Sequence, residues 1–216
     1  MGKKRQQGFT LVEIAIVLVI IGLLLGGVLK GQELIVQARI RNVINDLNGI
    51  SAAVYAYQDR YRALPGDERS AMVAGRWQDL SGGDGDGLVC GAYNGGSESG
   101  LSCGSAQESL LLWQHLRQAG LLTGAVDSGI PQHAAGGLLG IQAGAFGLSG
   151  HVLCASNLPA KIAAAIDAQL DDGLPHRGSI RAAEQSAPNM AAFQTLPTDT
   201  AYRDDGGQTY LLCKTL

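Results

Sequence analysis

This 216-residue chain has no excess of positive charge, no Cys-x-x-Cys pair and no Gly-Lys-Ser/Thr phosphate loop. Sixteen basic residues against 19 acidic give a net charge of −3. General nucleic-acid affinity needs a basic face, so that class is disfavoured and only a local basic patch stays open. With no paired cysteines at ligand spacing, and four histidines (115, 133, 151, 176) that show none either, a structural zinc site has no basis. Catalysis is equally poorly supplied. Gly147-Leu148-Ser149-Gly150-His151 lacks the last glycine of a nucleophile elbow, and no paired acid and base stands out, so Ser149 and His151 are read as strand and turn and the chain as no enzyme.

The conspicuous presence is one apolar run. From Phe9 to Leu29 everything except Thr10 and Glu13 is apolar or glycine, and at about 1.5 Å per residue this helix would span the roughly 30 Å hydrocarbon core. Lys3, Lys4 and Arg5 precede it with no acid among them, which keeps that end cytoplasmic and exports the rest. A secretory signal peptide would begin similarly but end in a small-residue cleavage site. Gly26-Gly27-Val28-Leu29-Lys30 is at best a weak one. Glu13 is the anomaly: a carboxylate in a membrane helix is costly and so a functional candidate, unless it lies close enough to the headgroups to be hydrated.

Lys3-Lys4-Arg5-Gln6-Gln7-Gly8-Phe9-Thr10-Leu11-Val12-Glu13-Ile14 resembles the cleavage and methylation site of the type IV pilin family, which includes the pseudopilins of type II secretion. The resemblance implies a membrane peptidase that cuts after Gly8 and methylates the new N-terminal Phe9, with Glu13 as the assembly residue. It implies an inner-membrane, single-pass subunit whose partners are prepilin peptidase, other pilin or pseudopilin subunits and an inner-membrane assembly platform. The chemistry supports it: an amine on Phe9 and a carboxylate on Glu13 are each costly in lipid, and pairing them between neighbouring subunits relieves both. Such head-to-tail contacts do not close, so they build filaments. Many pilins carry a proline near Lys30 where this chain has none, which favours a minor pilin or pseudopilin. A membrane-tethered periplasmic binding module that never polymerises is the alternative, and an uncleaved N-terminus would mark it.

The expected organisation is a leader over 1–8, a transmembrane helix over 9–29, its amphipathic continuation over 30–63 and a periplasmic or extracellular head over 64–216. Within the span, Gly22-x-x-x-Gly26 and Gly27-x-x-x-Gly31 are spaced for close helix approach, or merely loosen the backbone. Val36, Ile40, Val43, Leu47, Ile50, Val54, Tyr57 and Tyr61 then form a stripe at steps of four and three. It reads as a spine for a small sheet, or else as a coiled-coil seam. Pro65 ends the helix, in a Leu-Pro-Gly-Asp turn found in many pilin-like proteins.

In the head, Asp79 to Gly87 is rich in glycine and acid. Asp84 and Asp86, with Asp79 or Glu98, offer oxygens that calcium would suit, although the EF-hand glutamate is missing and a solvated turn explains them as well. No other cofactor is implied. Ser105-x-x-Glu108 predicts a capped helix running to Gly120, with Trp113 and His115 either packed or presented. Leu138–Ile141, Ala145–Leu148 and His151–Ala155 read as strands of a meander, 157–170 as a helix with Asp167, Asp171 and Asp172 near its end, and 208–214 as a last strand. The four cysteines all lie beyond the apolar run, and in an exported head they read as two disulfides. Of three possible pairings, Cys90 with Cys103 and Cys154 with Cys213 is favoured, the first bracketing a glycine-rich loop and the second tying down the last strand. The class is therefore α+β: a long N-terminal helix with a small antiparallel sheet, short helices and disulfide-bonded loops.

Overall fold

The structure is a computed structural model that describes residues 10–96 and 107–216. Gly8, Phe9, Ser105 and Cys103 lie outside the described residues. The chain divides into two compact units, Met1–Ala38 and Arg39–Leu216. One helix, α1 (Leu11–Tyr61), passes through both.

Up to Ala38, α1 is an apolar helix whose side chains are left uncovered, with Leu11, Leu18 and Leu29 all more than 60% exposed. It is the one helix among the described residues long and apolar enough to cross a membrane, with a mean hydropathy of 2.8 over its best window. The first charges after Glu13 are Lys30 and Glu33, which pair at 2.7 Å on successive turns.

From Arg39 onward the helix acquires a buried stripe. Ile40, Val43, Leu47, Ile50, Val54 and Tyr57 are all buried, at the spacing that puts them on one face. Tyr57 stacks on His115 with ring centroids 6.0 Å apart, and Arg60 donates to the Ala119 carbonyl at 3.1 Å. Both contacts lie on α3 (Glu108–Gln118) and its C-cap. The helix stops at Tyr61 because Arg62 turns left-handed at φ 56°, ahead of Pro65.

The sheet has four antiparallel strands in the order β1-β2-β4-β3: β1 (Leu139–Ala145), β2 (Leu148–Pro159), β3 (Ile180–Glu184) and β4 (Thr209–Thr215). The last strand in sequence thus fills an interior slot, between β2 and β3. Cys154 and Cys213 face each other across β2 and β4 and are disulfide-bonded, within a core cluster that includes Tyr93, Phe146, Val152 and Leu211. A fourth helix, α4 (Ala160–Leu170), packs against β2, β3 and β4, and α3 packs against β1. Both sheet edges are largely covered. Along β3, the N–H groups of Ile180, Ala182 and Glu184 donate to the Asp171 carboxylate (2.9 Å), the Pro175 carbonyl (2.8 Å) and the Asp199 carboxylate (3.3 Å). Along β1, Leu139 and Ala143 donate to the carbonyls of Pro131 (2.9 Å) and Val89 (3.1 Å).

The α+β architecture is the one expected, with four local differences. First, Ala145–Leu148 is a turn rather than a strand: Phe146 and Gly147 have φ of 52° and 73°, the two left-handed residues of a tight hairpin between Ala145 and Leu148. Second, β2 runs on to Pro159, so the helix expected from 157 begins at Ala160. Leu158 precedes a proline, which disfavours helix, and it is buried opposite Tyr210 in the sheet. Third, the short helix α2 (Ser70–Arg76) has too few residues to show a period; it buries Val73 alone. Fourth, α3 starts behind Gln107 with no side-chain cap. The Glu108 carboxylate instead accepts the N–H groups of Asp84 and Cys90 at 3.1 and 2.9 Å.

Close backbone approach fixes one glycine in β1. A Cβ on Gly140 would stand 1.9 Å from the Tyr93 carbonyl oxygen, whereas one on Gly207 would meet nothing within 4 Å. Gly140→Ala is therefore expected to lower stability by about 3 kcal/mol and Gly207→Ala to leave it nearly unchanged, as read by urea denaturation of the detergent-solubilised chain.

Candidate functional site

The N-terminal candidate is built on Thr10 and Glu13. Thr10 sits just before the first helical residue. Its backbone N–H and its hydroxyl both donate to the Glu13 carboxylate, at 2.8 and 2.7 Å, and its hydroxyl oxygen faces the Glu13 N–H at 3.3 Å. This is a reciprocal capping box, Thr-x-x-Glu, which satisfies donors that the first helical turn leaves open. The sequence reading placed Thr10 inside the span and missed the pattern, although the spacing carries it. Glu13 is thus a carboxylate held by local bonds at the head of a helix whose flanking Leu11, Val12 and Ile14 are uncovered. A Cβ on Gly22, Gly26, Gly27 or Gly31 would meet nothing within 4 Å, and small residues at this spacing allow close helix approach.

Residues 3–29 match the family model for the prokaryotic N-terminal methylation motif. This N-terminal match supports a type IV pilin-like protein. No curated protein matches the chain, and the motif does not extend into the head.

That head is organised at the end of the spine by buried polar groups. Gly66 (φ +90°) lies so close to α3 that a Cβ would stand 2.4 Å from the Glu108 carbonyl oxygen. Its N–H donates to His115 Nδ1 at 3.0 Å, and His115 Nε2 faces the Ser81 carbonyl at 2.8 Å. An acceptor on one side and a carbonyl on the other require a neutral ring with the proton on Nε2. Asp67 takes the N–H groups of Gly85, Asp86 and Gly87 at 2.9, 3.1 and 3.1 Å, folding the acidic glycine loop around one carboxylate. Glu68 accepts from the Tyr57 hydroxyl at 2.7 Å and also pairs with Arg76. Burial pushes the Asp67 and Glu108 carboxyls up, against the backbone bonds that lower them. Sequence reading missed Asp67 and Glu108 as organisers, because their acceptors serve groups 18 to 24 residues away.

Two other histidines share the logic of His115. His133 Nδ1 accepts the Ala135 N–H at 3.1 Å while Nε2 faces the Ser156 carbonyl, and His151 Nε2 accepts the Val89 N–H at 3.1 Å. Burial lowers the pKa of all three. The unfolded chain takes up protons near pH 6.5 that the folded one refuses, so it binds more protons and stability falls as pH drops below about 6.5. The melting temperature at pH 5 is expected to lie several degrees below that at pH 7.5. The raised Asp67, Glu108 and Asp167 carboxyls act in the opposite sense, holding protons in the fold, so the loss should flatten towards pH 4. A melting temperature that does not fall between pH 7.5 and 5 would show that the histidine contacts carry no weight.

Of the carboxylates singled out for a cation, Asp84 gathers with Asp67 and Glu108, and a second group is Asp167, Asp171 and Asp172. Asp86 is not in the first group; its carboxylate caps the Leu88 N–H at 2.8 Å. Asp171 accepts from Ser179 and Ile180, and Asp167 from Tyr202 and Gly173. These groups already serve as acceptors for the chain's own backbone and hydroxyls. Asp79 stands apart. Cys90 is disulfide-bonded, and its expected partner lies outside the described residues. Ser149 is exposed, and His151 is tied to Val89 rather than to a nucleophile.

Proposed function

We propose that the chain is a structural subunit, a minor pilin or pseudopilin, of a type IV pilus or a type II secretion-like filament. The observation that carries this reading is the methylation motif at residues 3–29, continuous with a helix long and apolar enough to cross a membrane. Prepilin peptidase cuts after Gly8 and methylates Phe9. Residues 9–29 then anchor the subunit in the inner membrane, residues 30–63 continue the helix, and the head from 64 onward stands on the periplasmic side. The helix loses its lipid only by exchanging it for neighbouring helices on an inner-membrane assembly platform, so storage and assembly use one apolar surface. The role is structural rather than enzymatic.

The test is the N-terminal mass of the protein purified from membranes that contain prepilin peptidase. A chain beginning at N-methylated Phe9 is expected; one beginning at Met1 despite active peptidase would overturn the reading. Gly8→Leu is expected to abolish the mobility shift seen on peptidase co-expression, because the bulk of leucine replaces the glycine at the cut.

A further inference from the structure

Beside α3 the head carries an open groove of about 600 Å³, floored by Trp77, Leu80 and Val126, within the roughly 300–1,000 Å³ usual for ligand sites. Trp77 is half-buried and firmly held. The Arg76 guanidinium lies 4.9 Å from its ring centroid and 4.4 Å from that of Tyr61, whose ring meets the indole edge-on at 5.5 Å. Arg76 is itself engaged by the buried Glu68 carboxylate, so the cation in the wall is already neutralised. The polar groups of the wall are not engaged. Besides Asp127, which is offset by the Arg117 guanidinium, four polar side chains line the groove: Gln114 and Gln118, one turn apart on α3, and Gln78 and Asp79, in the segment after α2. None of these four side chains has a hydrogen-bond partner among the described residues. In the neighbouring loop, by contrast, the carboxylates of Asp67, Asp84 and Asp86 all accept backbone N–H groups.

The lining sorts the ligand classes. An acidic ligand would need a free cation, and Arg76 is taken. An apolar helix would need more than two aliphatic side chains and would strand the carboxamides. With the Asp127 carboxylate offset by the Arg117 guanidinium, a fixed indole ringed by carboxamides and the Asp79 carboxylate suits a molecule with one apolar C–H face and a rim of hydroxyls, each able both to donate and to accept. We propose that this groove binds a neutral oligosaccharide, with a sugar ring on Trp77 and its hydroxyls bonded to Gln78, Asp79, Gln114 and Gln118. The site depends on the head alone and holds whether or not the chain enters a filament.

The test uses the full chain in detergent. Trp113, the second tryptophan, is fully buried, so emission quenched by acrylamide reports Trp77. Maltotriose, cellotriose, mannotriose and N-acetylchitotriose are titrated, with trilysine for comparison. Saturable protection of Trp77 by at least one of the sugars is expected, weakened about tenfold in Gln114→Ala/Gln118→Ala by the loss of two hydrogen bonds. Asp79→Ala, on an exposed residue outside the helix, is expected to weaken it in the same direction should the double variant melt early. No protection by any of the four sugars, protection untouched by these variants, or protection by trilysine alone would overturn the proposal. None of these results bears on the N-terminal mass, so the groove and the filament reading fail separately.

Discussion

Glu13→Ala is expected to leave leader cleavage intact and to cut incorporation into filaments by about a hundredfold. On the proposed processing after Gly8 the cut bond lies five residues before Glu13, so cleavage is expected to proceed without the carboxylate. Assembly does. In the filament the processed amine of Phe9 passes into a bundle of apolar helices, and a cation buried there without a partner costs about 3–5 kcal/mol once its counter-charge is removed. Even about 3 kcal/mol corresponds to roughly a hundredfold in an equilibrium. Within one chain the carboxylate is occupied by Thr10, so assembly on this reading exchanges a local capping contact for one to a neighbour's amine. Thr10→Ala, which removes only the hydroxyl arm of the cap, should then assemble far better than Glu13→Ala. Comparing sheared filaments with the membrane fraction by immunoblot measures both, and wild-type incorporation of Glu13→Ala would end the proposed role for this residue.

Replacing Cys154 and Cys213 together by alanine is expected to cost about 4 kcal/mol, or roughly 10 °C in melting temperature. The magnitude comes from their sequence separation of 59, a loop whose closure the bridge removes from the unfolded chain. The position makes the loss global. β4 is the last strand in the chain, yet it lies inside the sheet with β2 on one side and β3 on the other; if it frays, both pairings go and β3 loses its strand partner among the described residues. Alanine is the right replacement, since both sulfurs are fully buried and serine would add an unsatisfied hydroxyl. Thermal melts under non-reducing conditions give the answer. A change below about 2 °C would mean that strand pairing alone holds the last strand.

Where the sequence was legible, the reason is periodicity. The apolar run, the stripe from Ile40 to Tyr57 and the row Ile162, Ile166, Leu170 repeat at helical spacing, and each is helix in the structure. The terminal strand and its bridge to Cys154 were legible for a different reason, a cysteine within a short β-branched and aliphatic segment. The hairpin was misplaced because a phenylalanine, Phe146, occupies a left-handed turn position usually given to glycine or asparagine. The organisers of the head were invisible because their bonds are long-range: Asp67 folds a loop 18 to 20 residues away, and His115 ties Gly66 to Ser81 from a third segment. No window along the chain contains all three partners. At the N-terminus the motif was legible in residue identity, while the cap formed by Thr10 needed geometry to be seen.

The largely covered rims of the β-sheet bear on crowding. Subunits held side by side reach local concentrations at which any bare strand would recruit its neighbours into amyloid-like ladders. Here the outward amides of Ile180, Ala182 and Glu184 are already spoken for by Asp171, Pro175 and Asp199, and those of Leu139 and Ala143 by Pro131 and Val89. In the proposed filament, packed heads would therefore offer one another little template for strand recruitment, and ordered growth would be left to the helices.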